Sequence, residues 1–334
     1  MDRVISAILK LPGVSRIAET TLGHYVTIFM LHRSQAETPS LLGANPDVLE
    51  QCLQYAQNNN FQFLSIDDIL ELATNGETPS RPTICFTLDD GFLDQTETLI
   101  PILLKYNAKP TLFVLESFVN QLAWPWDAKV GYLLANAKPT VADFSFESSV
   151  FNLDTSSTEA AIKTRRHIVS HLKRCNPSQT SQLINDLAMR LDIGIPQKAP
   201  SHFNAPDWDK LRMLEKQGLR IGSHASSHHP FTSLSDEQIR EELTRSLKTL
   251  KHELRNPSSV FCYPSGTQHD FNAGHTKLVQ AAGYAGAVTA ISGNTTLLKI
   301  ANAPYTIPRH SFPTSLVKFI RYTSWVEFVR SKIS

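Results

Sequence analysis

Cysteine, net charge and long apolar runs are all scarce in this chain of 334 residues. No two cysteines form a Cys-x-x-Cys pair, which argues against a zinc ribbon or a dithiol redox motif; the cysteines are Cys52, Cys85, Cys175 and Cys262. The formal net charge of +1 gives no general attraction for nucleic acid or acidic lipid. No segment reaches the ~18 consecutive apolar residues of a membrane-spanning helix. Composition therefore predicts reduced thiols, no nucleic-acid partner and no transmembrane segment.

The beginning of the chain bears on localisation. Residues 1–10 contain a short apolar stretch interrupted by charge, which is not typical of a signal peptide, so a cytoplasmic location is the simplest prediction. Apolar side chains at helical spacing could instead form an amphipathic helix at the inner face of a membrane; they are Val4, Ile5, Ile8, Leu9 and Leu11. Packing against the rest of the protein is the commoner use of such a stripe.

What the chain does contain is a pair of adjacent carboxylates after an apolar run. Residues 84–86 lead into the segment 87–91, Thr-Leu-Asp-Asp-Gly, in which Asp89 and Asp90 are neighbours. Like charges this close raise one pKa or require a cation. Neighbouring side chains of a strand point in different directions, so one carboxylate can bind a metal while the other contacts a water beside it. The alternative is a solvated turn, because Asp-Gly is a common turn sequence.

Spaced histidines supply the second half of the pattern. Residues 219–223 predict a short strand that ends just before His224, and His228 follows four residues later. Two neutral imidazoles and the carboxylate of Asp90 form a three-ligand set with positions left for water and substrate, which is typical of a catalytic metal site. Zinc is the expected ion, and other divalent metals also fit. His229 could replace His228 as the ligand; otherwise it lies beside the site or on the surface.

Together these motifs resemble the polysaccharide deacetylases of carbohydrate esterase family 4, which have the NodB-like fold. The family usually has Thr-Phe-Asp-Asp-Gly in place of residues 87–91, and His-Ser/Thr-x-x-His-Pro in place of residues 224–230, where this chain has an extra histidine. The segment 261–266, Phe-Cys-Tyr-Pro-Ser-Gly, resembles the family's Phe-Ala-Tyr-Pro-x-Gly. The resemblance implies that a backbone amide near Tyr263, beside Pro264, helps to bind the oxyanion.

Two residues of the family pattern are absent from their usual places. The arginine that precedes the proline of the third motif and orients the catalytic aspartate has no counterpart there, and Arg309 is the candidate substitute. The C-terminal Leu-x-Leu-His-like motif that carries the general acid is also absent. Instead His32 follows the predicted strand 25–31, as in the permuted branch that includes the poly-N-acetylglucosamine deacetylases. That resemblance makes His32 the general acid, with His310 as the alternative; His32 could also be a structural histidine at a strand end.

Alternating strand and helix patterns predict an α/β fold. The predicted strands cover residues 25–31, 84–88, 110–115, 219–223, 260–263, 286–289 and 305–307. The predicted helices cover residues 46–57, 65–73, 96–106, 207–217, 235–254 and 276–282. Capping-box patterns begin at Ser65 and Ser235. The alternation favours a parallel barrel with functional residues at strand C-terminal ends. The resemblance implies a deformed (β/α)7 barrel, related to the TIM barrel, in a single polysaccharide deacetylase domain over residues 1–334.

An insertion is predicted between the two main motifs. Residues 124–205 exceed what a barrel crossover needs and include helical patterns at residues 159–175 and 181–191. If this helical insertion lines the active site, Trp124 and Trp126 offer aromatic faces on which a sugar can stack. The alternative is that both rings anchor the insertion to the core.

The predicted function is metal-dependent hydrolytic N-deacetylation of an N-acetylated amino sugar in a polysaccharide or glycan precursor. Asp89 would be the general base, and His32 would protonate the departing amine. Two alternatives stay open: an O-deacetylase or deformylase acting on a lipid-linked sugar, and a non-catalytic carbohydrate-binding barrel. The expected partner is an N-acetylated glycan or glycolipid.

Overall fold

The computed structural model of this protein describes residues 25–35 and 43–327. The predicted amphipathic stretch at residues 4–11 lies outside the described residues. Among the helices of the described part, none has the length and apolar character that a bilayer crossing requires. The four cysteines are buried and free, in agreement with the predicted reduced thiols.

A curled parallel sheet forms the centre of the described chain. The strands are β1 (Val26–Leu31), β2 (Gln62–Phe63), β3 (Thr83–Leu88), β4 (Thr111–Val114), β5 (Val141–Phe146), β6 (Ser149–Asp154), β7 (Arg220–Ser223), β8 (Val260–Cys262), β9 (Gly286–Val288) and β10 (His310–Ser311). The main sheet has the order β10-β1-β3-β4-β7-β8-β9, and β2 pairs with β3. Every residue of β1 and β3 is buried, as expected for parallel strands that are covered on both faces.

The segment after β9 closes the barrel. Ile307 makes an isolated parallel bridge to β9, and His310 pairs with β1. The predicted strand at residues 305–307 is therefore wrong, because only Ile307 is bridged and the strand itself lies three residues later. Pro308, which has no N–H to donate to a ladder, separates the two. The closure places Arg309 between the two ends of the sheet and agrees with the predicted deformed (β/α)7 barrel.

Helices connect and cover the strands. They are α1 (Pro46–Asn58), α2 (Ile66–Asn75), α3 (Ile100–Lys105), α4 (Glu116–Val119), α5 (Trp126–Asn136), α6 (Thr158–Leu172), α7 (Pro177–Leu191), α8 (Trp208–Lys216), α9 (Asp236–Glu253), α10 (Ala273–Ala281), α11 (Leu297–Asn302) and α12 (Leu316–Tyr322). The predicted capping boxes at Ser65 and Ser235 are both present. The predicted helix at residues 96–106 begins instead with a π-helical turn over Gln95–Leu99.

The insertion between β4 and β7 is not purely helical, which corrects the prediction. Helices α6 and α7 match the predicted helical patterns, but an antiparallel hairpin of β5 and β6 precedes them. Apolar side chains of the hairpin pack with those of α5, α6 and α7 in a separate cluster; the hairpin contributes Phe144, Phe146, Phe151 and Leu153. Exposed and buried residues alternate along both strands, so the period of two was the signal that sequence analysis overlooked.

Gly222 in β7 provides a test of the sheet packing. A Cβ at this position would lie 2.7 Å from ring carbons of Phe113 in β4. We expect Gly222→Ala to lower the free energy of unfolding by roughly 1–3 kcal/mol, because the ring or the strand must shift. Urea denaturation measures the change. Gly194→Ala is the matched control, since a Cβ there meets no atom within 4 Å. An equal loss in both variants would contradict the packing argument.

Candidate active site

Three strand ends bring the predicted site residues to one edge of the barrel. Asp89 and Asp90 follow β3, His32 follows β1, and His224 follows β7. In the sheet, β1 and β3 are neighbours, and β4 lies between β3 and β7. Because the sheet is parallel, their carboxyl ends face the same side. Strand order therefore explains why residues that are distant in sequence meet here.

Asp90, His224 and His228 converge on one point. Asp90 Oδ1 lies 3.4 Å from His224 Nε2 and 3.2 Å from His228 Nε2. Ligands at about 2.0–2.1 Å from a tetrahedral ion would lie roughly 3.3 Å apart, so these separations fit a metal site. Asp90 Oδ1 is also buried and has no hydrogen-bond partner among the described residues. A cation would satisfy this oxygen.

The second nitrogen of each ring is fixed by an acceptor. His224 Nδ1 lies 2.9 Å from the carbonyl oxygen of Cys262, and His228 Nδ1 lies 2.9 Å from Asp127 Oδ1. Both acceptors favour a proton on Nδ1 and leave Nε2 free to bind a metal. The backbone is held in an uncommon left-handed conformation at two of these residues, since His228 has a φ of 64° and Asp90 a φ of 83°.

The surroundings of these ligands favour positive charge. Burial opposes the charged form of His228, but Asp127 and Asp90 outweigh it and raise the pKa of the ring to about 10. Burial likewise opposes the charged form of His224, but the carboxylates of Asp90 and Asp89 outweigh it and raise its pKa. The pKa of Asp90 lies well below its ordinary value, because the two rings outweigh burial. A site that attracts protons this strongly is suited to a divalent cation.

His229 lies on the other side of this loop. Its ring stacks on Trp126 with centroids 5.8 Å apart, whereas the ring of His228 faces Asp90. Burial lowers the pKa of His229 to about 4, so the ring is neutral. The geometry places His228, and not His229, in the group of side chains that could hold a metal ion.

The guanidinium of Arg309 holds Asp89 in a bidentate ion pair. Nη1 donates to Asp89 Oδ1 and Nη2 donates to Asp89 Oδ2, both at 2.7 Å. The other N–H groups donate to Thr87 Oγ1 at 2.8 Å, to the carbonyl oxygen of Thr289 at 2.9 Å and to Cys262 Sγ at 3.2 Å. All five donors of the arginine thus have acceptors, although the residue is only 1% exposed. The contact with Asp89 fits the role predicted for Arg309, which is to substitute for the missing arginine of the family pattern.

A second group of potential ligands is less suited to a metal. Asp89, His224 and Cys262 also offer ligand atoms within 4.8 Å of one another. However, both oxygens of Asp89 and the sulfur of Cys262 already contact Arg309. Burial raises the pKa of the Cys262 thiol, which keeps it protonated. An added cation would lie beside an existing full positive charge, so the group of Asp90 is the better metal site.

His32 lies at the open side of the site. Its Nε2 is 4.0 Å from Asp89 Oδ2, and its side chain is 46% exposed. The buried side chain of Gln95 donates to the carbonyl oxygens of both His32 and Asp89, which ties the ends of β1 and β3 together. His310, the alternative acid, is not brought to the site: its ring nitrogens contact Ser292 Oγ and Asn294 Oδ1.

A cleft of about 210 Å³, which we call the metal cleft, opens beside these groups. The barrel contributes His32 and Asp90 to its lining, and the insertion contributes Asp127, Arg165 and Arg166. Arg165 Nη2 also donates to Asp127 Oδ2 at 3.0 Å. The insertion therefore forms one wall of the cleft, as expected for a segment between two strand ends.

Two glutamates that sequence analysis missed support the loop at residues 224–229, which we call the histidine loop. Glu242 accepts hydrogen bonds from the amides of Ser226 and Ser227 at 2.7 and 3.0 Å. Glu116 accepts from Ser226 Oγ at 2.7 Å and from Arg245 Nε at 3.0 Å. Nothing local in the sequence marks these glutamates. Asp127, by contrast, directly follows Trp126, one of the two tryptophans with a predicted sugar-stacking role. Its acidic side chain was therefore a signal available in the sequence.

Tyr263, whose neighbourhood is predicted to supply the oxyanion contact, has its own amide paired within the sheet. Its amide donates to the carbonyl oxygen of Val288 at 3.3 Å within the sheet. Pro264 has no N–H, so the first amide beyond the sheet is that of Ser265, which has a φ of 61°. The sheet register decides which of these amides is free of the sheet, and the motif does not reveal that register.

Both predicted sugar-stacking rings are buried. Trp124 is 5% exposed and packs against Tyr132 and Phe203. Trp126 is 6% exposed, and its Nε1 donates to the carbonyl oxygen of His228 at 3.0 Å. Neither ring offers an open face to the metal cleft, so the structure favours the anchoring alternative.

The ion pair of Arg309 and Asp89 yields a stability prediction. We expect Arg309→Met to lower the free energy of unfolding of metal-free protein by about 3–5 kcal/mol, because it leaves a buried carboxylate unpaired. The double variant Asp89→Leu/Arg309→Met should regain most of this loss in urea denaturation. A loss below about 1 kcal/mol in Arg309→Met alone would contradict the assignment of this ion pair as a stabilising contact.

The same ion pair predicts a pH dependence. Because the pKa of Asp89 is lowered in the folded state, its stabilisation should be lost on acidification below about pH 5.

Sequence comparison identifies relatives of the chain. The model of the polysaccharide deacetylase family matches residues 76–287, which is more than half of the chain. A segment of 66 residues, 20% of this chain, is 29% identical to YxkH of Bacillus subtilis (strain 168), which is itself named a polysaccharide deacetylase. That match spans only 24% of the length of YxkH.

Solved structures share the fold over most of the chain. The Streptococcus pyogenes deacetylase PplD in complex with acetate has a TM-score of 0.60 and 17% identity, covering 90% of this chain and 98% of that chain. IcaB from Ammonifex degensii has a TM-score of 0.55 and 13% identity, covering 90% and 97%. At these identities the likeness shows the fold, which is the deformed barrel of NodB-like proteins. The family match over residues 76–287, which contains the paired carboxylates and both histidines, shows that this chain belongs to the polysaccharide deacetylase family, whose members are hydrolases acting on the amide bonds of acetylated sugars.

Proposed function

We propose that this protein is a metal-dependent N-deacetylase that hydrolyses the acetamido group of an amino sugar in a polysaccharide or glycan precursor. Family membership supports a hydrolase acting on an acetylated glycan. The observation that carries the proposal is the meeting of Asp90, His224 and His228 at one point, beside an aspartate that Arg309 orients. Two imidazoles and one carboxylate form a ligand set that suits zinc. When bound, the cation would polarise the amide carbonyl and make a water more acidic.

Asp89 is the proposed general base. Burial alone would raise its pKa, but Arg309 outweighs burial and lowers the pKa below the ordinary value, so the carboxylate is ionised at neutral pH. It can therefore accept a proton from the water that attacks the acetyl carbon. The bidentate contact fixes the carboxylate before substrate arrives, which reduces the reorganisation needed in the reaction.

His32 is the proposed general acid. Breaking the C–N bond releases acetate and an amine, and the amine nitrogen needs a proton to leave. His32 lies 4.0 Å from Asp89 and lines the open cleft, where a sugar nitrogen can reach it. The amide of Ser265, at the turn after β8, is the proposed oxyanion donor in place of Tyr263.

Acetate supports the choice of acyl group. The structural neighbour from Streptococcus pyogenes is a deacetylase in complex with acetate, which is the product expected from an acetamido substrate. An O-acetyl ester would release the same product. Acetate alone therefore does not distinguish an amide from an ester, and the two kinds of substrate must be compared directly.

Acetate release from N-acetylglucosamine oligomers by zinc-loaded protein tests the proposal. We expect Asp89→Asn to bind zinc but to lose at least ~100-fold in rate, because the base is removed. His224→Ala should lose both zinc and activity. Asp143→Asn, an exposed change in the insertion, is the control. Wild-type release from O-acetylated but not from N-acetylated sugars would contradict N-deacetylation, and a near-native rate for Asp89→Asn would contradict the base.

Asp127 should tune the affinity for the metal. It orients His228 through a 2.9 Å contact to Nδ1, so we expect Asp127→Ala to weaken zinc binding by roughly 10–100-fold. Competition with a chromogenic chelator measures the affinity without any assay of activity, and Asp143→Asn again serves as the control. Unchanged affinity would show that this contact does not position the ligand.

A further inference from the structure

A second cavity lies behind the histidine loop. Its volume is about 480 Å³, and it opens between the insertion and the segments that follow β4 and β7. We call it the insertion cavity; its wall includes Trp124, Lys129, Thr180, Ser227 and His229. While His229 belongs to this wall, the preceding residue, His228, faces Asp90. A single loop therefore separates the insertion cavity from the metal cleft.

Several polar atoms in the wall lack partners. Thr180 Oγ1, Ser227 Oγ and His229 Nδ1 are buried and have no hydrogen-bond partner among the described residues. Thr180 is 1% exposed and His229 is 7% exposed, so bulk water does not satisfy them, and their side chains must rotate slightly to meet an occupant of the cavity. Buried polar groups without partners are rare in folded proteins and reduce stability. Their grouping in one cavity indicates an occupant that can form hydrogen bonds.

The charge of the wall indicates the sign of that occupant. Lys129 is the only charged side chain among the described residues that line the cavity. Its ammonium lies 5.9 Å from the ring centroid of Trp124, and no carboxylate of the described chain forms an ion pair with it. Burial lowers the pKa of Lys129, which reflects the cost of holding an unpaired charge there. An anionic group in the cavity would offset that cost.

We propose that the insertion cavity binds a carboxylate-bearing sugar residue of the hexuronate class, an inference that rests on the proposed action of the protein on a glycan. Lys129 pairs with the carboxylate, and Thr180, Ser227 and His229 hydrogen-bond the ring hydroxyls. Apolar side chains in the wall pack against the C–H groups of the ring; they include Phe118, Ile184 and Ile195. The volume lies in the range of small-ligand pockets and accommodates one or two sugar rings.

The position of the cavity links it to the cleft without depending on the metal. A glycan held beside His229 lies one residue away from the loop position that faces Asp90. The bound uronate would thus fix the register of a longer chain that also enters the cleft. Because neither Lys129 nor Thr180 contacts the metal ligands, binding should persist in chelator-treated protein.

Titration of metal-free protein with two disaccharides tests the proposal. The probes are glucuronate linked to N-acetylglucosamine, and neutral di-N-acetylchitobiose; calorimetry and tryptophan fluorescence report binding, since Trp124 and Trp126 line the cavity. We expect the acidic disaccharide to bind at least ~10-fold more tightly, because it pairs with Lys129. Lys129→Gln should remove this preference. Thr180→Val, which keeps the side-chain shape, should weaken binding by roughly 2–10-fold.

Lys138→Gln, an exposed change in the same insertion, is the matched control and should leave binding unchanged. Circular dichroism verifies that each variant is folded. No binding of the acidic disaccharide, equal binding of both probes, or a preference that survives Lys129→Gln would overturn the proposal and leave a cavity that holds water only. Loss of deacetylase activity would not affect the result, since the protein is titrated without metal.

Discussion

The buried ion pair between Arg309 and Asp89 is the interaction on which the rest of the structure depends. The guanidinium donates to groups on β3, on β8 and just after β9, so one side chain joins strands on opposite sides of the barrel. A charge this deeply buried is stable only when every donor is satisfied, which fixes the positions of its acceptors. Barrel closure and orientation of the carboxylate are therefore one structural event.

Asp90 does different chemistry from its neighbour because the backbone turns between them. Its left-handed conformation directs the second carboxylate to the two histidines, away from Arg309. The insertion then completes the site, since Asp127 contacts the ring of His228 and Trp126 donates to the carbonyl oxygen of the same residue. The loop 224–229 thus has the proposed metal ligands on one side and the insertion cavity on the other.

Local patterns predicted much of this site, and long-range packing determined the remainder. Carboxylates at a strand end and histidines four apart are visible in sequence, because strand ends of a parallel barrel share one edge. The role of Arg309 could only be suggested, since its position follows from how the last strand closes the sheet. Which amide near Tyr263 is free to bind an oxyanion depends on the sheet register, which a motif does not reveal. Glu116 and Glu242 lie far from the histidines in sequence and had no local signal. The hairpin of the insertion had one, because apolar and polar residues alternate along its strands.

X-ray absorption at the zinc edge of zinc-loaded protein tests the central claim most directly, because the two possible ligand groups differ in sulfur. Coordination by Asp90, His224 and His228 predicts only nitrogen and oxygen ligands at about 2.0–2.1 Å, with imidazole scattering that falls by about half in His228→Ala, where His224 remains. A sulfur ligand at about 2.3 Å would place the metal at Cys262 and Asp89 instead. That result would contradict both the assignment of the metal site and the role of Asp89 as a free base.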